Sequence, residues 1–184
     1  MTPTESAAAK PQLITPTFVL AWVANFCQFL VFYLFVTTMA LYAVESFGAS
    51  DTVGGFASSA FVLGATCMRV FSGWIVDRVG HKKAALTSLA FVTVVAVAYF
   101  FAHNVAVLII VRMVHGAGYA LTSTALMAVA QSVIPHERRA EGTGYFALGT
   151  TLATAFGPAI GLLLANNIGY TTLFAVALGA NIVS

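Results

Sequence analysis

The feature that most limits what this chain can fold into is the repeated return of apolar runs about twenty residues long. A bilayer core asks about twenty apolar residues of each helix that crosses it. Five runs meet that length: about Phe18 to Val44, Val53 to Val76, Ala84 to Ala102, Val105 to Ile134, and Thr143 to Ala165. A sixth begins near Thr171 and stops at Ser184 after about fourteen residues, too few to cross alone. Hydrocarbon offers no partner for backbone N–H and C=O groups, so runs of this kind close their hydrogen bonds internally, as helices. The expected fold class is an all-α membrane protein with an incomplete sixth helix, which reads as a fragment of a longer protein. Residues 1–16 are expected to form a cytoplasmic tail, and residues 17–184 to carry the spans.

Composition agrees and excludes other classes. Hydrophobic residues make up 60% of the chain and charged ones 8%, against about 25% charge in soluble domains; mean hydropathy is +0.93. The net charge of +2 is scattered over turns and forms no patch, so no nucleic-acid partner is expected. Cys27 and Cys67 lie inside apolar runs without metal-ligand spacing, and no metal or cofactor is implied. There is no His-Glu-x-x-His, no Gly-x-Ser-x-Gly and no mid-span carboxylate pair, which argues against an intramembrane enzyme. Met1 to Thr15 lacks the basic start and cleavage pattern of a signal peptide, so the first run stays in the protein.

Loop charges give orientation, because Lys and Arg beside short loops stay on the cytoplasmic side. Lys10 precedes the first run, Arg78, Lys82 and Lys83 follow the second, and Arg138 and Arg139 follow the fourth. The first, third and fifth loops contain neither residue. The N-terminus, the turn near Gly80 and the Pro135–Glu141 loop are therefore expected in the cytoplasm of a cell-membrane protein.

The turn near Gly80 holds the densest pattern. Arg69, Gly73 and Asp77 recur every fourth residue, so a helix would place them on one face. Gly80 breaks that helix, and His81, Lys82 and Lys83 follow. Gly73, Asp77, Arg78, Gly80, Lys82 and Lys83 resemble the signature loop of the major facilitator superfamily, Gly-x-x-x-Asp-Arg-x-Gly-basic-basic between the second and third helices. The resemblance implies that Asp77 latches against the opposite half of the protein during alternating access. Pro-His-Glu-Arg-Arg-Ala-Glu-Gly at 135–142 resembles the corresponding turn two helices on, where Arg138, Arg139 and Glu141 would join Asp77 in a charge network. A solvated basic loop is the plainer reading of those residues.

Charge inside a span is expensive and marks function by default. Arg69 is near enough to the cytoplasmic end to snorkel, or to pair with Asp77 or Glu141. Arg112 is deeper. The run Arg112, His115, Gly116, Gly118 resembles the Arg-x-x-x-Gly-x-Gly motif of proton-coupled facilitators, which implies a proton-coupling role for Arg112. A structural Arg bonded to helix carbonyls is the alternative. His115, one turn on, is of the residue type whose ordinary pKa lies near neutrality and is expected to take part, although a lone helical His also serves as a packing residue.

The fifth span places Gly149, Ala153, Gly157, Gly161 and Ala165 every fourth residue, a nearly bare face for close packing. Pro158 denies Thr154 its helical hydrogen bond and is expected to bend the helix. Gly157, Pro158 and Gly161 resemble the exporter motif Gly-x-x-x-Gly-Pro-x-x-Gly-Gly, with Ala153 and Leu162 in place of its outer glycines. In the first span Asn25 and Gln28 stand one turn apart beside Phe29, Phe32 and Tyr33. Amides in lipid need partners or a cavity. The family architecture would set Asn25, Gln28, Tyr33, Tyr119 and Ser123 around a substrate cavity.

Taken over nearly the whole chain, the resemblance implies the N-terminal six-helix half of a proton-coupled exporter. Its expected partners are a small organic substrate, protons, lipid and a second six-helix half. A sugar or metabolite uniporter or importer of the same fold, or a non-transporting scaffold or sensor, are the other readings. Cysteine labelling from each side of the membrane checks the topology: positions 82 and 166 should be reachable from opposite faces, and labelling of both from one face would overturn it.

Overall fold

The computed structural model describes residues 12–184, so Lys10 and most of the expected tail lie outside the described residues. Six helices follow one another: α1 Pro16–Phe47, α2 Asp51–Val79, α3 His81–Ala98, α4 Val105–Val133, α5 Arg139–Asn167 and α6 Tyr170–Val183. Single 3-10 turns at Tyr99–Phe101 and His136–Arg138 finish α3 and precede α5. The first five helices are long and apolar enough to span a bilayer; α6, with 14 residues, is shorter. The helices run a few residues past the apolar runs. Arg139 and Glu141, expected in a loop, already belong to α5.

Local chemistry sets these ends. Thr15 Oγ1 accepts from the Phe18 N–H at 3.2 Å with Pro16 at the first helical position, and Asn104 Oδ1 accepts from the Val107 N–H at 2.9 Å. Ser50 caps α2 through a 3.4 Å bond from the Val53 N–H. Asp51 sits in the first turn, where its charge suits the helix dipole. Between α2 and α3 there is one residue, Gly80, with φ +92°. A side chain is strained there, so the glycine is what allows two helices to meet across a single joint. α5 runs unbroken through Pro158.

The helices alternate in direction, and two buried clusters mark the two ends. At the end that carries Gly80, Phe18, Val76, Ala84, Ile134 and Phe146 pack together. At the far end, Phe35, Met39, Tyr99, Leu108 and Phe174 do so. Between them, Phe61, Tyr119 and Ala120 pack with Phe29 and Phe32.

Lipid tails are as apolar as the helices, so association here depends on close packing instead of on expelling water. The most extensive interface, between α2 and α4, is a backbone crossing. A Cβ at Gly64 would strike the Met113 carbonyl, and one at Gly116 the Phe61 carbonyl. Gly118 meets α3 instead, where a Cβ would lie 2.7 Å from Val92 and 2.8 Å from Phe91. α5 uses its small-residue stripe against α1: a Cβ at Gly149 would meet Trp22 at 3.3 Å, one at Gly157 Tyr33 Cβ at 2.5 Å, and one at Gly161 the Leu34 carbonyl at 2.6 Å. Ala153 is fully buried in the same stripe.

These contacts order the glycines by cost. Gly64→Ala and Gly116→Ala should each destabilise the detergent-solubilised protein by about 1–3 kcal/mol or more through overpacking. Gly55→Ala and Gly144→Ala, which meet open space, should leave thermal unfolding unchanged or slightly raised. Equal effects in the two pairs would show that the α2–α4 crossing is not as close as described.

Candidate functional site

Three groups of polar residues sit on this frame. The first is the Gly80 turn. Arg69, Gly73 and Asp77 share a face of α2 as expected, and the space beside Gly73 is open. Asp77 is exposed, and among the described residues it has no hydrogen-bond or ion-pair partner. Arg78 stacks over Trp74 with its guanidinium 5.4 Å from the ring centre. Lys82 and Lys83 are exposed at the start of α3.

The expected charge network is not assembled. Arg138 donates from Nε to Glu141 Oε2 and from Nη2 to Glu141 Oε1, both at 2.8 Å. This bidentate pair is local, three residues apart, and is not joined to Asp77 among the described residues. Arg139 is exposed beside it. Arg69 pairs with neither carboxylate. Eight helical residues, about 12 Å, separate it from Asp77, and its Nη2 donates to Ser123 Oγ at 3.4 Å.

The second group surrounds Arg112, which is fully buried. Its Nη2 donates to the Ser58 carbonyl at 2.8 Å and its Nε to the Ala57 carbonyl at 3.4 Å. Each carbonyl has a second lone pair, so α2 stays intact while accepting these bonds. The guanidinium also lies 4.8 Å from the Phe61 ring centre and 5.9 Å from that of Phe35. Among the described residues Nη1 has no hydrogen-bond partner. One turn on, buried His115 faces Tyr99, with Nδ1 3.0 Å from the phenol oxygen. Tyr99 is a residue the sequence reading passed over. The available signal was its hydroxyl inside an apolar run, where a buried phenol needs a partner.

The third group is a recess of about 470 Å³ between α1, α2, α4 and α5, lined by Asn25, Phe29, Arg69, Ser123, Thr124, Met127, Phe146, Ala147, Thr150 and Thr151. Its polar residues share a depth. Asn25 lies nine residues after Pro16, Thr150 eleven after Arg139, and Arg69 and Ser123 ten before Val79 and Val133, so each is about 15 Å from the Gly80 end. Asn25 Nδ2 donates to Thr150 Oγ1 at 3.4 Å.

Of the five residues expected around a cavity, Asn25 and Ser123 line the recess. Tyr119 packs behind it against Phe29, Phe32 and Phe61, with ring centres 5.5, 5.7 and 5.2 Å away. Tyr33 sits against Gly157. Gln28 turns away: its Nε2 donates to Asn181 Oδ1 and Ser184 Oγ, both at 3.0 Å. Thr93 Oγ1 adds a 3.2 Å bond to the Asn181 carbonyl, so this is a buried clasp joining α1, α3 and α6. Thr124, Thr150 and Thr151 were not singled out from sequence. Their common depth across different helices shows only once helix rotation is known.

Long apolar helices around a polar recess, with a charged turn at one end, define a polytopic membrane protein. The family model of the Major Facilitator Superfamily matches residues 21–184, and the chain belongs to that family. It is 31% identical over 133 residues to the staphylopine export protein of Staphylococcus aureus, covering 71% of this chain and 32% of that protein. It is 30% identical over 161 residues to the multi-drug resistance efflux pump PmrA of Streptococcus pneumoniae, covering 84% of this chain and 39% of the pump. An MFS-type transporter of Methanocaldococcus jannaschii is 28% identical over 148 residues, covering 80% of this chain and 38% of the transporter. The chain thus spans about a third of the length of the curated relatives it matches.

The clasp yields a test by double-mutant cycle. Gln28→Leu and Asn181→Leu should each lower the unfolding temperature in detergent, with a coupling of about 0.5–1.5 kcal/mol between them. A coupling near zero would mean that the amides do not bond across the helices.

Proposed function

We propose that this chain forms the N-terminal half of an exporter that moves a small organic molecule by alternating access, its N-terminus in the cytoplasm. The observation that carries the reading is the recess about 15 Å from the Gly80 end, where four helices contribute polar side chains to a single space. Such a space has no structural purpose in a scaffold, since every polar group exposed in hydrocarbon costs free energy. The two exporters among the relatives favour efflux.

In this reading a second six-helix half closes the recess, and the two halves rock about it. Asp77 and Gly73 stand ready at the moving surface: the carboxylate is exposed and the glycine leaves room for a helix of the other half. Asp77 is the latch that holds one state, and Arg78, Lys82 and Lys83 set the charge around it. Arg112 and His115 are the candidates for proton coupling in this half. Arg112 carries a spare buried donor, and His115 holds its ring nitrogen against Tyr99. Those residues offer a proton route no carboxylate of their own.

The full-length protein in proteoliposomes tests the reading. An imposed proton gradient should drive efflux of a fluorescent substrate, and an ionophore that collapses the gradient should stop it. Asp77→Asn should lower the flux about tenfold or more while membrane insertion, followed by labelling, stays normal. Wild-type flux in that variant would remove the latch role.

A further inference from the structure

Arg69 stands apart from the other cations. It is the charged side chain among the residues lining the recess, it is exposed, and among the described residues its hydrogen bond is the long 3.4 Å one to Ser123 Oγ, with the Tyr119 phenol near its charge. The acidic side chains around it are engaged or out of reach: Glu141 is held at both oxygens by Arg138, and Asp77 is eight residues along α2. Arg112 is different in kind, enclosed by packing and bonded to carbonyls of α2.

We infer that the recess takes an amphiphilic organic anion, with Arg69 binding its carboxylate, phosphate or sulfonate and the aromatic wall at Phe29 taking its apolar body. The inference rests on the transport reading and adds the charge of the substrate. A guanidinium presents donors in a planar fork that matches two anionic oxygens, and one polarised hydroxyl contact leaves most of that fork free. The charge of the guanidinium draws an anion into the recess and repels a second cation. Asn25, Ser123 and Thr150, at the same depth, supply further donors. The recess volume of about 470 Å³ falls within the range of about 300–1,000 Å³ that holds small organic ligands.

The test uses full-length protein in neutral detergent and two dyes, anionic carboxyfluorescein and cationic ethidium, read by fluorescence anisotropy. Wild type should bind carboxyfluorescein more tightly than ethidium. Arg69→Gln should weaken carboxyfluorescein about tenfold or more, Arg69→Lys should retain part of the affinity, and Arg69→Glu should reverse the preference toward ethidium, a gain that a misfolded protein cannot show. Unchanged carboxyfluorescein binding in Arg69→Gln, or no binding by wild type, overturns the inference. So does displacement of the dye by phosphatidylglycerol but not by octanoate, which would make this a lipid headgroup site. Flux in proteoliposomes separates the two readings. Bound anion without flux of either dye sinks transport and leaves the anion site standing; ethidium flux without anion binding does the reverse.

Discussion

Everything in this bundle depends on how closely α2 and α4 approach. In hydrocarbon no expelled water pushes helices together, so contact must come from dispersion and from polar bonds formed at short range. Gly64 and Gly116 bring the two backbones into contact, and across the same interface the Arg112 side chain bonds the carbonyls of Ala57 and Ser58. Packing and hydrogen bonding thus meet at one interface. The pair α1 and α5 repeats the device with less polarity: Gly157 and Gly161 rest on Tyr33 and Leu34, and Trp22 Nε1 donates to the Tyr145 carbonyl at 2.9 Å.

Polar side chains within the membrane fall into two sets. One set is satisfied at 3.0 Å or less across helices: Gln28 with Asn181, Tyr99 with His115, Arg112 with Ser58. These bonds hold the bundle together. The other set, Asn25 with Thr150 and Arg69 with Ser123, meets at 3.4 Å around an open space. Long bonds beside a recess leave donors available to something else. Length alone does not sort the two sets, since Arg112 Nε also meets the Ala57 carbonyl at 3.4 Å; what sets Asn25, Thr150, Arg69 and Ser123 apart is that they line a recess.

The sequence made the frame legible and left the pairings hidden. Span number, the break at Gly80 and the bare face of the fifth helix are local properties, written in apolar length, in one glycine and in a four-residue repeat. Gln28 shows the limit. Its turn from Asn25 suggested a shared cavity, yet the two differ by three residues, enough rotation to aim one at α5 and the other at α6. Arg69 and Asp77 share a face, but helix rise keeps them apart. Tyr99 and His115 are sixteen positions apart on separate helices, and no pattern in either run announces the other.

The lone residue at Gly80 also has a mechanical meaning. With a single residue between them, the ends of α2 and α3 stay side by side there, and α2 is in turn bonded to α4 through Arg112. In the rocking motion proposed above, these shared contacts would carry the three helices together. α1 and α5, joined along their length at Gly149, Gly157 and Gly161, would form the second such unit.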